Sequence, residues 1–377
     1  MNIERNYDVI SGTTDLEHLY TFRNFPIFMG CSDAHPDQDL HADMSFWISR
    51  STGMIQLNPL LPLEVLYPEA HGAGCVGAAW AAHHQAFADF VSLFSPKSVL
   101  EIGGAHGILA NNYHKKSKIP WIILEPNPTP VAGCEAQFVK GFFDANFQLP
   151  KQVDAVIHSH VFEHIYDPDA FMSQLAAFLP TGKHLIFSVP NMQEMLKRRY
   201  TNCLNFEHTI YLTEDYIEHL LSRHGFRLLR CQYFREDHSI FYASVRDPQV
   251  EIDRLSGELY VRNRLAFEEY IRYHNQLIDD LNSRVDECEG PVYLFGAHVF
   301  SQYLLAFGLR PNRLVALLDN DPNKQGKRLY GTLLNVISPH ALRQVERPSV
   351  ILKAGVYTQE IREDILKNIN ANTRFLE

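Results

Sequence analysis

Val99-Leu100-Glu101-Ile102-Gly103-Gly104-Ala105-His106-Gly107 reads as a buried strand that enters a glycine-rich turn and opens a helix. Glycine at 103, 104 and 107 lets backbone approach a nucleotide-like cofactor without a Cβ clash. A second apolar run, Trp121-Ile122-Ile123-Leu124, ends in Glu125, whose carboxylate can accept hydrogen bonds from two ribose hydroxyls. The glycines do not meet the Gly-x-Gly-x-x-Gly of dinucleotide sites. S-adenosylmethionine has no pyrophosphate to cradle, needs fewer glycines, and fits this spacing better.

Two further stretches carry chemistry. His158-Ser159-His160-Val161-Phe162-Glu163-His164-Ile165-Tyr166-Asp167-Pro168 follows another buried strand, so it falls at the carboxyl edge of a sheet, where ligands bind. His160 is the residue expected to face the cofactor there, whereas Glu163 and His164 read equally as helix-start packing. Leu204 to Thr213 holds Asn205, Glu207, His208 and Tyr211. An imidazole such as His208 can act as a base or as an electrophilic partner, with Glu207 orienting it.

The elements that must position these residues alternate strand and helix. Strands are expected at 98–102, 121–124, 136–141, 153–158, 184–189 and 226–233, with 239–245 as an edge strand. Helices are expected over 77–94, 169–178 and 213–224, the last with Thr213 as N-cap ahead of acidic Glu214 and Asp215. Such alternation implies a mostly parallel sheet with helices on both faces. A long polar helical stretch spans about 250–288, and a second, smaller α/β unit begins at Pro291 with strands at 314–318 and 349–353. Its turn Phe295-Gly296-Ala297-His298 has one glycine and bulky neighbours, which suits a pyrophosphate poorly.

Composition narrows the class. The chain of 377 residues is 46% hydrophobic and 21% charged, which is globular, and its length implies more than one domain. A net charge of −10 gives no broad electrostatic reason to bind nucleic acid. No apolar run suits a membrane span, and the first residues lack the layout of a signal peptide. Six dispersed cysteines without a Cys-x-x-Cys suit free thiols in the cytoplasm.

The glycine turn, Glu125-Pro126, Val161-Phe162-Glu163-His164-Ile165 with Asp167-Pro168, and Ser188-Val189-Pro190-Asn191 together resemble class I SAM-dependent methyltransferases. Asn205-Phe206-Glu207-His208 and the stretch Leu318-Asp319-Asn320-Asp321-Pro322 through Gly331 further resemble bacterial nucleotide-sugar C-methyltransferases. That resemblance implies an α/β fold in four parts. Residues 1–75 would be a small zinc-ribbon-like region, 76–247 a Rossmann-like SAM-binding core, 248–290 a helical connector, and 291–377 a second Rossmann-like domain. It implies S-adenosylmethionine held by Glu101, Gly103, Gly104, Ala105, Gly107, Glu125, Pro126, Phe143 and His160. It implies catalysis by His208 with Glu207, Asn205 and Tyr211, and a sugar or nucleotide-sugar substrate of surface-glycan or natural-product biosynthesis. Two departures qualify it. The family's N-terminal zinc cysteines are replaced by Ser11-Gly12-Thr13 and Ser49-Arg50-Ser51-Thr52-Gly53, and hydroxyls are poor zinc ligands. Cys31, His35, His41, His71 and Cys75 match no standard zinc spacing, so no metal is expected. Asn205 stands where the family has Tyr, which removes one acid or base and shifts weight from carbon to oxygen or nitrogen acceptors. A non-catalytic SAM- or nucleotide-sugar-binding protein, or a dehydrogenase using the C-terminal unit, are the competing classes.

Overall fold

The computed structural model describes residues 3–66, 77–144, 146–149, 151–354 and 358–376. The chain forms two compact units that interleave in sequence. The first gathers residues 1–18, 47–198 and 203–264, the second 19–46, 199–202 and 265–377.

The first unit is built on a seven-stranded sheet: β1 (Val99–Ile102), β2 (Trp121–Glu125), β3 (Gln137–Lys140), β4 (Ala155–Ser159), β5 (His184–Pro190), β6 (Phe226–Phe234) and β7 (Ser239–Arg246). The spatial order is β6-β7-β5-β4-β1-β2-β3. Strands β1 to β5 pair in parallel, with Val99 opposite both Trp121 and Ala155. β1 and most of β4 and β5 are unbroken buried runs, as a strand covered on both faces requires. Side chains alternate between the faces. On one face Val99, Ile123, Ala155, Ile157, Ile186 and Phe241 pack against Phe87 and Val91 of α1 (Ala78–Ser92) and Leu109 and Tyr113 of α2 (Ile108–His114). On the other, His158 lies against Phe171 of α3 (Pro168–Phe178).

The strand at 239–246 is not the edge. β7 lies antiparallel between β5 and β6, and six of its eight residues are buried. β6 is the edge, and its sequence Phe-Arg-Leu-Leu-Arg-Cys-Gln-Tyr-Phe carries the exposed charges that an edge needs. Thr213 sits at the N-cap of the helix Glu214–Arg223, but its hydroxyl makes no cap bond and has no hydrogen-bond partner among the described residues.

The two loops carrying hydroxyls where the resembled family has zinc cysteines lie side by side, with Thr13 Oγ1 3.3 Å from Ser51 Oγ. Asp15 accepts from Thr13 Oγ1, Ser49 Oγ and the Ser51 amide, and Asp8 accepts from Ser11 Oγ and Thr52 Oγ1. Carboxylates and hydroxyls thus join these loops by hydrogen bonds. Cys31 Sγ donates to Ala297 O and His35 Nδ1 accepts from the Asp37 amide, while His71 and Cys75 lie outside the described residues. The described cysteines are free thiols, and among the described residues no helix is long and apolar enough to cross a membrane.

The second unit holds a five-stranded parallel sheet: β8 (Val292–Phe295), β9 (Leu314–Leu318), β10 (Val336–Ile337), β11 (Ser349–Ile351) and β12 (Arg374–Leu376), in the order β10-β9-β8-β11-β12. Asp319, just beyond β9, accepts from the Ala297 amide in the turn after β8 and pairs with Lys324 at 3.1 Å.

Gly53 tests the first unit's packing. It has φ +72°, and a Cβ there would stand 2.5 Å from the Leu259 carbonyl carbon and 2.7 Å from its oxygen. Gly53→Ala is expected to lower stability by about 2–4 kcal/mol in urea unfolding, because backbone cannot yield as a side-chain tip can.

Candidate functional site at the carboxyl edge of the sheet

β1 lies between β2 and β4, so the crossover direction reverses on either side of it. The carboxyl ends of the strands around such a point form a crevice. Gly103 and Gly107 take φ +71° and +73°, which glycine adopts without strain, and Ala105 takes φ +37°. Residues 103–106 are half-exposed between buried stretches. A Cβ at Gly103 would stand 2.6 Å from Val161 Cγ2, so this turn lies directly against the loop after β4.

Glu125 closes the turn. Its Oε2 accepts from the Ala105 amide at 3.1 Å and its Oε1 from the Asn127 amide at 3.0 Å. Each oxygen therefore has lone-pair capacity left for a ribose hydroxyl. Pro126 follows it, half-buried. Glu101 lies beneath the turn: it is 3% exposed, accepts from Trp121 Nε1 at 2.7 Å, and its carboxyl sits where a Gly104 side chain would be. Burial pushes its carboxyl up to about 7, against the Trp121 bond. Phe143 is occupied by packing, with its ring 5.5 Å from Phe178 and 6.0 Å from Phe171.

His160 has both ring nitrogens engaged within the protein. Its Nδ1 lies 3.0 Å from Glu163 Oε1 and its Nε2 2.9 Å from Ser239 Oγ, and the ring packs against Trp80 and His83. The physical reason is Glu163. That carboxylate is fully buried and needs a proton donor. Burial would push Glu163 up, but the His160 bond and the nearby His160, His164 and His208 outweigh it and bring the carboxyl to about 2. Burial lowers His164 and His238 to about 4 and His158 to about 3, and pushes His83 down further.

The four residues expected to carry catalysis lie on the loop 203–212. Asn205 Oδ1 accepts from the amides of Glu207 and His208 at 2.8 and 3.1 Å, so its side chain is a loop latch. His208 Nδ1 lies 3.2 Å from Cys203 O. A carbonyl only accepts, so Nδ1 carries a proton, and in the neutral tautomer the lone pair lies at Nε2. His208 meets His164 edge to face, centroids 4.9 Å apart. Tyr211 is 2% exposed, and burial pushes its phenol well above its ordinary range.

The loop is held from outside the core sheet. Its backbone pairs with the strand Ile55–Leu57, through Leu57 N to Thr209 O and Tyr211 N to Ile55 O. Arg5, unremarkable in sequence, is 2% exposed and donates to Leu57 O, Thr209 O and Tyr166 O at 2.8 to 3.2 Å. Burial lowers it to about 10, so it stays charged at neutral pH. No spacing rule marks such a residue.

Residues 77–230 match the family model of a methyltransferase domain. No curated protein matches the chain in sequence. Among solved structures, the chain is similar to magnesium protoporphyrin IX methyltransferase from Synechocystis, at 19% identity over 45% of this chain and 85% of that one, TM-score 0.36. It is also similar to 1,6-didemethyltoxoflavin-N1-methyltransferase from Burkholderia thailandensis, at 14% identity over 45% and 79%, TM-score 0.36. A third is an S-adenosylmethionine-dependent methyltransferase structure from Listeria monocytogenes, at 13% identity over 44% and 99%, TM-score 0.36. The central segment is thus similar in sequence to methyltransferase domains.

Two outcomes follow from the site's electrostatics. The buried histidines bind protons less readily folded than unfolded, so their stabilising effect is full above about pH 6.5 and is lost as pH falls toward about 4. Glu101 acts oppositely: with its folded value raised to about 7, it costs stability as pH rises from about 4.5 to 7. Glu101→Gln is therefore expected to be stabilised at pH 7 by up to about 3 kcal/mol and to lose more melting temperature between pH 7 and 5 than the parent, by calorimetry. Arg5→Lys keeps the charge but cannot span three carbonyls, and is expected to cost about 2–4 kcal/mol in urea unfolding.

Proposed function

We propose that the first unit transfers the methyl group of S-adenosylmethionine to a hydroxyl of a nucleotide-linked sugar, with His208 taking the acceptor's proton. The cofactor supplies an electrophilic methyl group on a sulfonium. The half-exposed turn 103–106 and the spare lone pairs of Glu125 suit its ribose. The observation that carries the reading is the His208 ring: Cys203 O holds Nδ1 protonated, Asn205 latches the backbone, and Nε2 is left as the electron pair.

Oxygen is favoured over carbon by what stands around that base. Proton removal beside a ketone needs a base and a donor for the enolate oxygen. Asn205 occupies the Tyr position of the sugar C-methyltransferases and spends its carbonyl on two amides. Tyr211 is buried, with its ionisation suppressed. A hydroxyl acceptor needs only the base. The sugar itself rests on the likeness of residues 204–213 and 318–331 to that family.

The test is turnover of S-adenosylmethionine with a panel of nucleotide-sugars, read as a mass gain of about 14 (roughly one CH₂) and located on O, N or C. His208→Ala is expected to cut kcat by roughly 10²–10⁴ while S-adenosylhomocysteine affinity stays within about twofold. Unchanged turnover would remove His208 from the chemistry. Cofactor binding without turnover on any acceptor would favour a binding protein.

A further inference from the structure

The loop after β4 and the loop 203–212 bring together three side chains of metal-ligand type. One carboxylate oxygen of Glu163 and one ring nitrogen each of His164 and His208 lie within 4.8 Å of one another. We propose that these three residues bind a divalent transition-metal cation beside the cofactor turn, where it holds and acidifies an oxygen of the acceptor.

The buried carboxylate is the first reason. Glu163 is 0% exposed, its Oε1 is engaged by His160, and its Oε2 is buried with no hydrogen-bond partner among the described residues. A carboxylate oxygen in that state is costly unless a cation or a ligand proton meets it. The second reason is orientation. A metal-binding imidazole is typically fixed by its other nitrogen donating to a carbonyl or carboxylate. Cys203 O does this for His208, and His160, itself bonded to Ser239, does the equivalent for Glu163. The His164 and His208 rings meet at 73°, which allows their in-plane lone pairs to converge. Bonds of about 2.1 Å to a tetrahedral ion would place ligand atoms roughly 3.4 Å apart, a contraction on the order of an ångström.

Two nitrogens and one carboxylate select a first-row transition ion over magnesium or calcium and leave open positions. A hydroxyl on an open position loses its proton more readily. With the cation bound, the His208 electron pair serves as a ligand and the acceptor proton goes to solvent. Without it, the same pair takes the proton directly. Val161, next to these ligands, abuts Gly103, so the site borders the cofactor turn. The nearby trio His83, His160 and His238 has similar spacing. It is the weaker candidate, because both His160 nitrogens are engaged and the His83 and His238 rings stack at 25°.

The role given to the acceptor rests on the methyl-transfer reading, whereas cation binding does not. Metal-free full-length protein is titrated with Co²⁺ and followed by visible absorption, with S-adenosylhomocysteine affinity measured on the same samples. One equivalent is expected to bind. Glu163→Gln and His208→Ala should each weaken Co²⁺ by at least about 100-fold, beyond the roughly 10–100-fold typical of outer-shell changes, with S-adenosylhomocysteine binding retained. Co²⁺ binding that both variants leave intact would overturn the site. So would the absence of one-to-one binding in protein that still binds S-adenosylhomocysteine. Co²⁺ bound at these residues in protein that methylates no nucleotide-sugar would uphold the site and sink the sugar reading.

Discussion

A guanidinium buried among backbone carbonyls holds the candidate site together. Arg5 spans Leu57 O, Thr209 O and Tyr166 O, and so ties the N-terminal segment to both loops that carry the site's imidazoles. Thr209 follows His208, and Tyr166 lies two residues beyond His164. No carboxylate hydrogen-bonded to Arg5 is needed for this, because carbonyl dipoles solvate the charge in place of water. Removing the guanidinium would leave several buried carbonyls without donors, a larger loss than any one of these bonds contributes.

The charge pattern around Glu163 follows from that anchoring. Once the two loops are fixed, a fully buried carboxylate faces His160, His164 and His208, and the histidines behind it are held neutral by burial. His160 is thereby drawn off toward Glu163 and Ser239. The edge of the sheet thus separates two tasks. In the proposed reading, Glu125 and the glycine turn would offer acceptors and bare backbone to a cofactor, while the imidazoles a loop away would offer lone pairs to an acceptor or a cation.

Elsewhere hydrogen bonds stand where related chemistry would use other ligands. The loops around Ser11 and Ser51 are joined through Asp8 and Asp15 by hydroxyl donors rather than thiolates. In the second unit Asp319 repeats the Glu125 arrangement, a strand-end carboxylate accepting from the amide of the preceding turn, Ala297 in place of Ala105. There Lys324 pairs with it and Gln325 binds its backbone carbonyl.

Local pattern was enough for the parallel strands. Val99–Ile102, Trp121–Glu125 and Ala155–Ser159 are mostly apolar runs that only a doubly covered sheet can bury, and the glycines and Glu125 at their ends mark the edge proposed for the cofactor. The roles of β6 and β7 were harder to tell apart: β6 carries Arg227 and Arg230, but both strands hold apolar residues, and only the packed sheet decides which one meets solvent. Nor was the distribution of tasks among the polar residues. Asn205 as a latch and His160 as the partner of Glu163 are local contacts that residue type alone does not reveal, and the meeting of His164 with His208 joins segments about 40 residues apart whose backbones Arg5 ties from the far end of the chain. Residue type and spacing determine what a strand end can bind, because a turn's backbone is local. Which histidine gives its electron pair to a ligand is decided by the tertiary structure, because that depends on what each ring's other nitrogen has already been made to meet.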